Sequence, residues 1–176
     1  MIAQLPLFEL AHVTGGVQLT LDDVRPAGEL VVVIPCSGEK APGLHNAAGE
    51  LFTAAERYTG QFHRYARQHA ERIGADRVLI LSACYGLLRL TDLCPDYEKK
   101  ITDKDSIAST PGKLAHQALA LGLRLDDVTV VSLCPAAYSA ELARAIPGLV
   151  QPLAGSRGIG EQRGRIARLT RKDLHR

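Results

Sequence analysis

Three thiols follow three apolar runs. Cys36 comes directly after "ELVVVIP" (29–35), Cys84 directly after "RVLILSA" (77–83), and Cys134 lies near the end of "DVTVVSLCP" (127–135). If the runs are neighbouring parallel strands, the thiols occupy equivalent positions and face one common edge. Three such thiols with His45 would suit a Cys3His zinc site, although the paired short spacings of structural zinc sites are absent. Cysteine is also small, weakly polar and readily buried, which suits the crowded end of a strand. Cys134 fits that second account, and Cys36 fits either. The loop "PCSGEKAPGLH" (35–45) adds the Ser37 hydroxyl, the Lys40 ammonium and the His45 imidazole to a run of backbone N–H groups. Such a loop can hold a phosphate or the polar edge of a base. Partial desolvation of Lys40 beside the strand ends would favour its neutral, nucleophilic form.

The elements that must position these groups follow from pattern. The three runs are rich in β-branched residues and continuous rather than alternating, as in parallel strands covered on both faces. Phe62, Tyr65, Ala66, His69, Ala70 and Ile73 recur at spacings of three and four, which predicts a helix ending at Gly74. Thr110 and Pro111 read as the cap and first residue of a second helix ending near Gly122, and 139–145 as a third. "GGVQLTL" (15–21) alternates as in a strand pair. The expected fold is α/β: a single domain with a three-layer, mostly parallel sheet flanked by helices. Residues 1–28 form an N-terminal extension and 155–176 a basic C-terminal helix.

Composition agrees with one globular domain, with 46% hydrophobic and 23% charged residues in a chain of 176. The net charge is only +2, but it is unevenly spread. Arg157, Arg163, Arg165 and Arg168, with Arg171, Lys172 and Arg176, face only Glu161 and Asp173 in the last twenty residues. That segment suits phosphate contact, and equally suits a solvated helix face. No apolar run approaches the roughly 18 residues of a membrane span, no leader is recognisable, and the four cysteines do not form a secreted disulfide framework. A cytoplasmic protein with no membrane partner is expected. No cofactor is expected either, because the Walker order is missing and "GIGEQRG" gives only GxGxxxG.

The runs "RYTGQF" (57–62) and "LSACYGLLRLTDL" (81–93), followed by Tyr97, resemble the core of YaaA-type peroxide stress proteins. "PCSGEKAPGLH" is similar to the catalytic-core signature of archaeosine synthase, with Pro35, Cys36 and Lys40 matching. Ala41 and Pro42 replace the Pro-Tyr of that signature, His45 falls early, and Asp96 separates Pro95 from Tyr97. The resemblance implies a fold akin to uracil-DNA glycosylases and proteins that recognise or alter nucleobases or bind DNA. It places Ser82, Cys84, Tyr85 and Gly86 in a pocket, with Gly86 letting a flat ligand approach the backbone. Tyr85 or Tyr97 would stack on a base, and Asp96 and Glu98 would accept base N–H groups or act as a general base toward water. Arg89 and Asp92 are expected to pair with each other.

Three functions are compatible with these residues. One is an enzyme that cleaves or exchanges an N-glycosidic bond of a nucleobase or nucleoside, free or in nucleic acid. In it Lys40, Asp96 and Glu98 are catalytic, and Cys36, Ser37, His45, Ser82, Cys84, Tyr85, Gly86 and Tyr97 hold the substrate. A second is a non-catalytic DNA-binding protein of the oxidative stress response. The third is peroxide sensing at Cys36 or Cys84, which requires an exposed thiol of low pKa.

Overall fold

The computed structural model describes residues 28–110 and 112–174. The expected strand pair at 15–21, all but Gly28 of the N-terminal extension, and the helix-initiating role of Pro111 lie outside the described residues. The elements run β1 (Glu29–Pro35), α1 (Ala54–Arg57), α2 (Gln61–Arg72), β2 (Arg77–Ser82), β3 (Gly86–Arg89), α3 (Lys113–Ala120), β4 (Val128–Ser132), α4 (Ala136–Ala145) and α5 (Ile159–Arg168). Two 3-10 turns, Ile107–Ser109 and Arg171–Asp173, complete them.

The sheet has the order β3-β2-β1-β4. β1 pairs in parallel with β2 and β4, and β3 runs antiparallel along the edge of β2. β1 is central because both its faces are apolar: Leu30 through Ile34 are all fully buried. Alternation then divides the core. Leu30, Val32 and Ile34 pack with Ala66 and Ala70 of α2 and Ile166 of α5, while Val31 and Val33 pack with Leu114 of α3 and Leu142 of α4. Helices thus cover both faces, giving the three-layer α/β domain, and burying each large side chain contributes about 1.5–3 kcal/mol. No helix among the described residues is long and apolar enough to cross a membrane.

The local departures from expectation have physical causes. β2 does not run into a helix after Ser82. It reverses through a hairpin, and "GLLR" returns as β3 with Ser82 opposite Gly86. The α3 helix begins at Lys113, with Gly112 in the left-handed region (φ 77°), so Thr110 does not cap it. The basic C-terminal helix is shorter than 155–176, since Gly158 is extended at its N-cap and the helix ends at Arg168.

Candidate functional site

The C-terminal ends of β1 and β2 bring together a cluster of hydroxyls and thiols. Cys36 leaves β1 with its N–H bonded to the Leu81 carbonyl (3.0 Å). Its sulfur lies 3.4 Å from the Tyr138 hydroxyl, which α4 delivers in its first turn. Ser82, the last residue of β2, is fully buried; its Oγ accepts the N–H groups of Cys84 (3.2 Å) and Tyr85 (3.1 Å) and donates to the Tyr97 hydroxyl (2.9 Å). The Tyr97 and Tyr58 hydroxyls are 2.9 Å apart, and the Cys94 thiol donates to Tyr58 (3.3 Å). Burial pushes the hydroxyls of Tyr58, Tyr97 and Tyr138 well above the usual phenol range, and the neighbouring Cys36 sulfur adds to the rise for Tyr97 and Tyr138. These groups are therefore neutral donors.

Lys40 stands over this network. Its Nζ is 4.6 Å from the centroid of the Tyr97 ring and 3.7 Å from a Glu98 oxygen. Its side chain is only 7% exposed, whereas that of Glu98 is 93% exposed. The Tyr85 ring meets the Tyr97 ring edge-on at 5.3 Å, leaving a half-buried aromatic pair at the rim.

The loops carrying Lys40 and Tyr97 are tied by Arg57, which is fully buried. Its Nε donates to the Cys94 carbonyl (2.9 Å) and its Nη1 to the carbonyls of Ala41 (2.7 Å) and Gly43 (2.9 Å). Its guanidinium lies on the Phe52 ring at 4.3 Å. The reciprocal backbone bond, Ala41 N–H to the Arg57 carbonyl, is 2.8 Å. His63, also buried, donates from Nδ1 to the Pro35 carbonyl (2.8 Å) directly beneath Cys36, and burial lowers its pKa.

Cys36, Lys40, Ser82, Tyr97 and Glu98 thus form one neighbourhood, with Cys84 and Tyr85 in the hairpin turn beside it. Other expected residues have different roles. Ser37 is occupied within the chain: its Oγ donates to the Glu39 carbonyl and accepts the Gly60 N–H (3.1 Å). His45 is exposed and pairs with Leu51 across the 41–50 loop, outside the cluster. Asp96 turns back to accept the N–H of Tyr97 (2.9 Å). Gly86 is buried against Gln117, which accepts from the Leu87 N–H and donates to the Tyr85 carbonyl. A Cβ at Gly86 would sit 2.0 Å from Gln117 Oε1, so its close approach is to α3 rather than to a ligand. Asp92 accepts the backbone N–H of Arg89 (2.7 Å) in place of the expected side-chain pair.

Cys36, Cys84 and Cys134 each follow the carboxyl end of one of the parallel strands β1, β2 and β4, and both Cys94 and Cys134 feel the Cys36 sulfur. They do not assemble a metal site: no suitable group of three ligands occurs among the described residues. Cys134 is buried, with its thiol directed at the Val33 carbonyl (3.5 Å) and its pKa raised by burial.

On α5, Glu161 accepts the Arg157 N–H (2.9 Å) and pairs with Arg165 (2.6 Å), so a carboxylate occupies the helix N-terminus that could have met a phosphate. Arg163 stacks on Tyr65 at 4.9 Å, and Arg157 and Arg168 are exposed.

Sequence reasoning missed Arg57, Tyr58, Cys94 and Tyr138 as members of the site. Tyr58 was visible within "RYTGQF", and Tyr138 stands three residues after the run "DVTVVSLCP", but nothing marked Arg57 as buried. Size alone would direct attention elsewhere, to a cavity of about 560 Å³ beside the start of β4. Its one carboxylate, Asp173, is engaged by the hydroxyl and N–H of Thr170, and its lining holds no thiol, imidazole or ammonium beside it. Chemistry therefore places the candidate site at the β1 and β2 ends.

Comparison with curated proteins and with solved structures returns no match. A family model does match, over residues 31–168, a span from β1 through α5 that contains every member of the cluster, and the chain therefore belongs to that family of unknown function, DUF6884.

Proposed function

We propose that the protein is a cytoplasmic enzyme acting on a nucleobase or nucleoside, free or within a nucleic acid, and that it cleaves or exchanges an N-glycosidic bond. The observation that carries this reading is the Lys40 ammonium seated on the Tyr97 ring, with Tyr85 edge-on beside it at the strand ends. Ligands of open α/β sheets bind at this edge. An aromatic rim offers a stacking surface for a flat base, and a shielded ammonium offers a donor to its carbonyl or ring nitrogen. Glu98, exposed and 3.7 Å from Lys40, can turn to accept a proton from water. Asp96, held on the Tyr97 backbone, serves by shaping that segment. The sequence resemblance to YaaA-type and archaeosine-synthase-core proteins points to the same substrate class.

The test is thermal unfolding against nucleobases, nucleosides, nucleotides and short oligomers, followed by assay of any hit for released base. A ligand at a hundredfold its Kd stabilises by about 2.7 kcal/mol, which raises the midpoint by roughly 5–10 °C for a chain of this size. Absence of any base, nucleoside or nucleotide response, together with no base released from the oligomers, would overturn the reading.

A second reading, DNA binding during peroxide stress without catalysis, is favoured by the layer formed by α2 and α5. Each helix carries three arginines against one glutamate. Oligomer binding that falls steeply with salt and is lost on Arg64→Ala with Arg168→Ala, in a protein silent to every small molecule, would favour it.

A further inference from the structure

We propose that the starting half of the outer edge of β4 is a docking slot for one strand, and that its occupant is the protein's own segment 17–21. The slot lies at the opposite end of the sheet from the candidate site and is independent of the reading given there.

One edge of the sheet is closed and the other is half open. On β3, Gln117 accepts the Leu87 N–H (3.0 Å) and donates to the Tyr85 carbonyl (2.9 Å), while Asp92 accepts the Arg89 N–H (2.7 Å). β4 is the terminal strand at the other side. The Leu133 N–H reaches the Val33 carbonyl (2.9 Å), so the odd-numbered residues of β4 pair with β1 and the even-numbered ones face outward. Val150 covers the far half of that outer edge, accepting the Ser132 N–H and donating to the Val130 carbonyl, both at 2.9 Å. The Val130 N–H and the Val128 carbonyl face the same way, and neither has a partner among the described residues. Val130 is only 3% exposed, a setting in which an unpaired backbone group is costly.

Two cavities flank this half-edge. One of about 560 Å³ lies on the side of Thr129, Val150, Leu169 and Leu174. The other, of about 300 Å³, lies on the side of Val130, Arg124 and Asp126. A strand laid between them sends alternate side chains into each. Val17, Leu19 and Leu21 alternate with Gln18 and Thr20, so the apolar set matches the first cavity and the polar set the second.

The tether fits as well. Gly28 is pressed against the residue before β4, since a Cβ there would sit 2.3 Å from the Asp127 carbonyl oxygen. A strand beyond β4 lies two strand spacings from β1, about 10 Å, and the linker 22–27 can span up to about 20 Å. Because the segment leads into β1 where the strands begin, it runs antiparallel to β4. Tethering also raises its local concentration over that of any free partner. The family match starts at residue 31, so this strand is an addition to the family core.

The experiment is disulfide trapping in the full chain at low protein concentration. Thr129→Cys is combined in turn with Val17→Cys, Leu19→Cys and Leu21→Cys, and for comparison with Gln18→Cys and Thr20→Cys. Thr129→Cys alone reports any link to the native thiols. Two bonds to the Val130 N–H and the Val128 carbonyl put the residue facing Thr129 in the close, non-hydrogen-bonded position. At least one odd position should therefore link within the chain several-fold faster than either even position. The Val130 amide should exchange about tenfold or more slowly in the parent than in Leu19→Asp, whose unfolding midpoint should fall by roughly 5–10 °C. Links that form between chains would assign the slot to a second copy and overturn the proposal. Equal rates at odd and even positions, or a Val130 amide that exchanges as fast in the parent as in Leu19→Asp, would overturn it too.

Discussion

The hydroxyls of Tyr58 and Tyr97 lie 2.9 Å apart and join the segment after α1 to the loop after the hairpin. Tyr97 is the branch point, since it also accepts from Ser82. In Tyr97→Phe the Ser82 hydroxyl loses its acceptor and Tyr58 loses a partner in a buried setting. The expected cost is about 1–3 kcal/mol, seen as a lower urea midpoint with an unchanged m-value. Tyr85→Phe is the contrasting variant. The Tyr85 hydroxyl is exposed and makes only a 3.4 Å contact to the Pro95 carbonyl, so its loss should change stability by less than about 0.5 kcal/mol. Equal costs for the two variants would refute the branch-point role.

Arg57→Leu sets two effects against each other. Removing an unpaired buried charge relieves desolvation, but the carbonyls of Ala41, Gly43 and Cys94 lose their donor. The buried Cys94 carbonyl left unpaired costs about 1–3 kcal/mol, and the Ala41 and Gly43 carbonyls, which water can reach, cost less, so a net destabilisation of roughly 1–3 kcal/mol is expected. Arg57→Lys should restore little of it, because one ammonium cannot reproduce a planar fork that spans two loops. Chemical denaturation of both variants measures this, and a lysine variant as stable as the parent would show that charge alone, not geometry, holds the loops.

The sheet centre and α2 were legible because their signals are local and redundant. β1 repeats β-branched residues without a break, and the apolar residues of α2 recur every three or four positions. β3 was not legible. Its "GLLR" is four residues long, and Leu87 and Leu88 turn to opposite cores, so it shows neither a long run nor a polar face. The site was legible where chemistry lay next to a strand end, as for Cys36, Lys40 and Ser82. Arg57 and Cys94 meet across 37 residues of sequence, and a charged residue in "AAERYTG" gives no sign that loop carbonyls will enclose it.

Gly86→Ala tests the packing account of the hairpin glycine. The residue has φ 81°, and an added Cβ would collide with Gln117 Oε1 at 2.0 Å. Backbone strain alone costs about 1–2 kcal/mol, and displacing Gln117 would also unpair the Leu87 N–H and the Tyr85 carbonyl. A loss of about 2–4 kcal/mol is therefore expected. Adding Gln117→Ala should relieve the collision, so the double variant should lose less than the sum of the two singles. Strict additivity, measured by a double-mutant cycle in urea, would show that Gln117 is not what Gly86 accommodates.

Acid sensitivity should begin above the carboxylate range because His63 is buried as the neutral ring. Its Nδ1–H is donated to Pro35, and burial, with the charges of Arg67 and Arg64 nearby, lowers its pKa from 6.5. Below that value the unfolded chain binds a proton that the folded chain does not, so stability falls as pH drops through 6.5 and levels only below the folded-state pKa. His69, lowered by burial and by Arg72, acts in the same direction. Each proton contributes a slope of at most about 1.4 kcal/mol per pH unit. The exposed carboxylates Glu56, Glu161, Asp105 and Asp173 have lowered pKa values, so their effects lie at more acid pH and do not overlap this window. Unfolding free energy measured from about pH 7.5 down to about pH 5 should therefore decline in the parent protein. It should decline less in His63→Asn, which keeps a donor near Pro35 but cannot titrate. The same slope in both proteins would show that His63 does not set the acid limit.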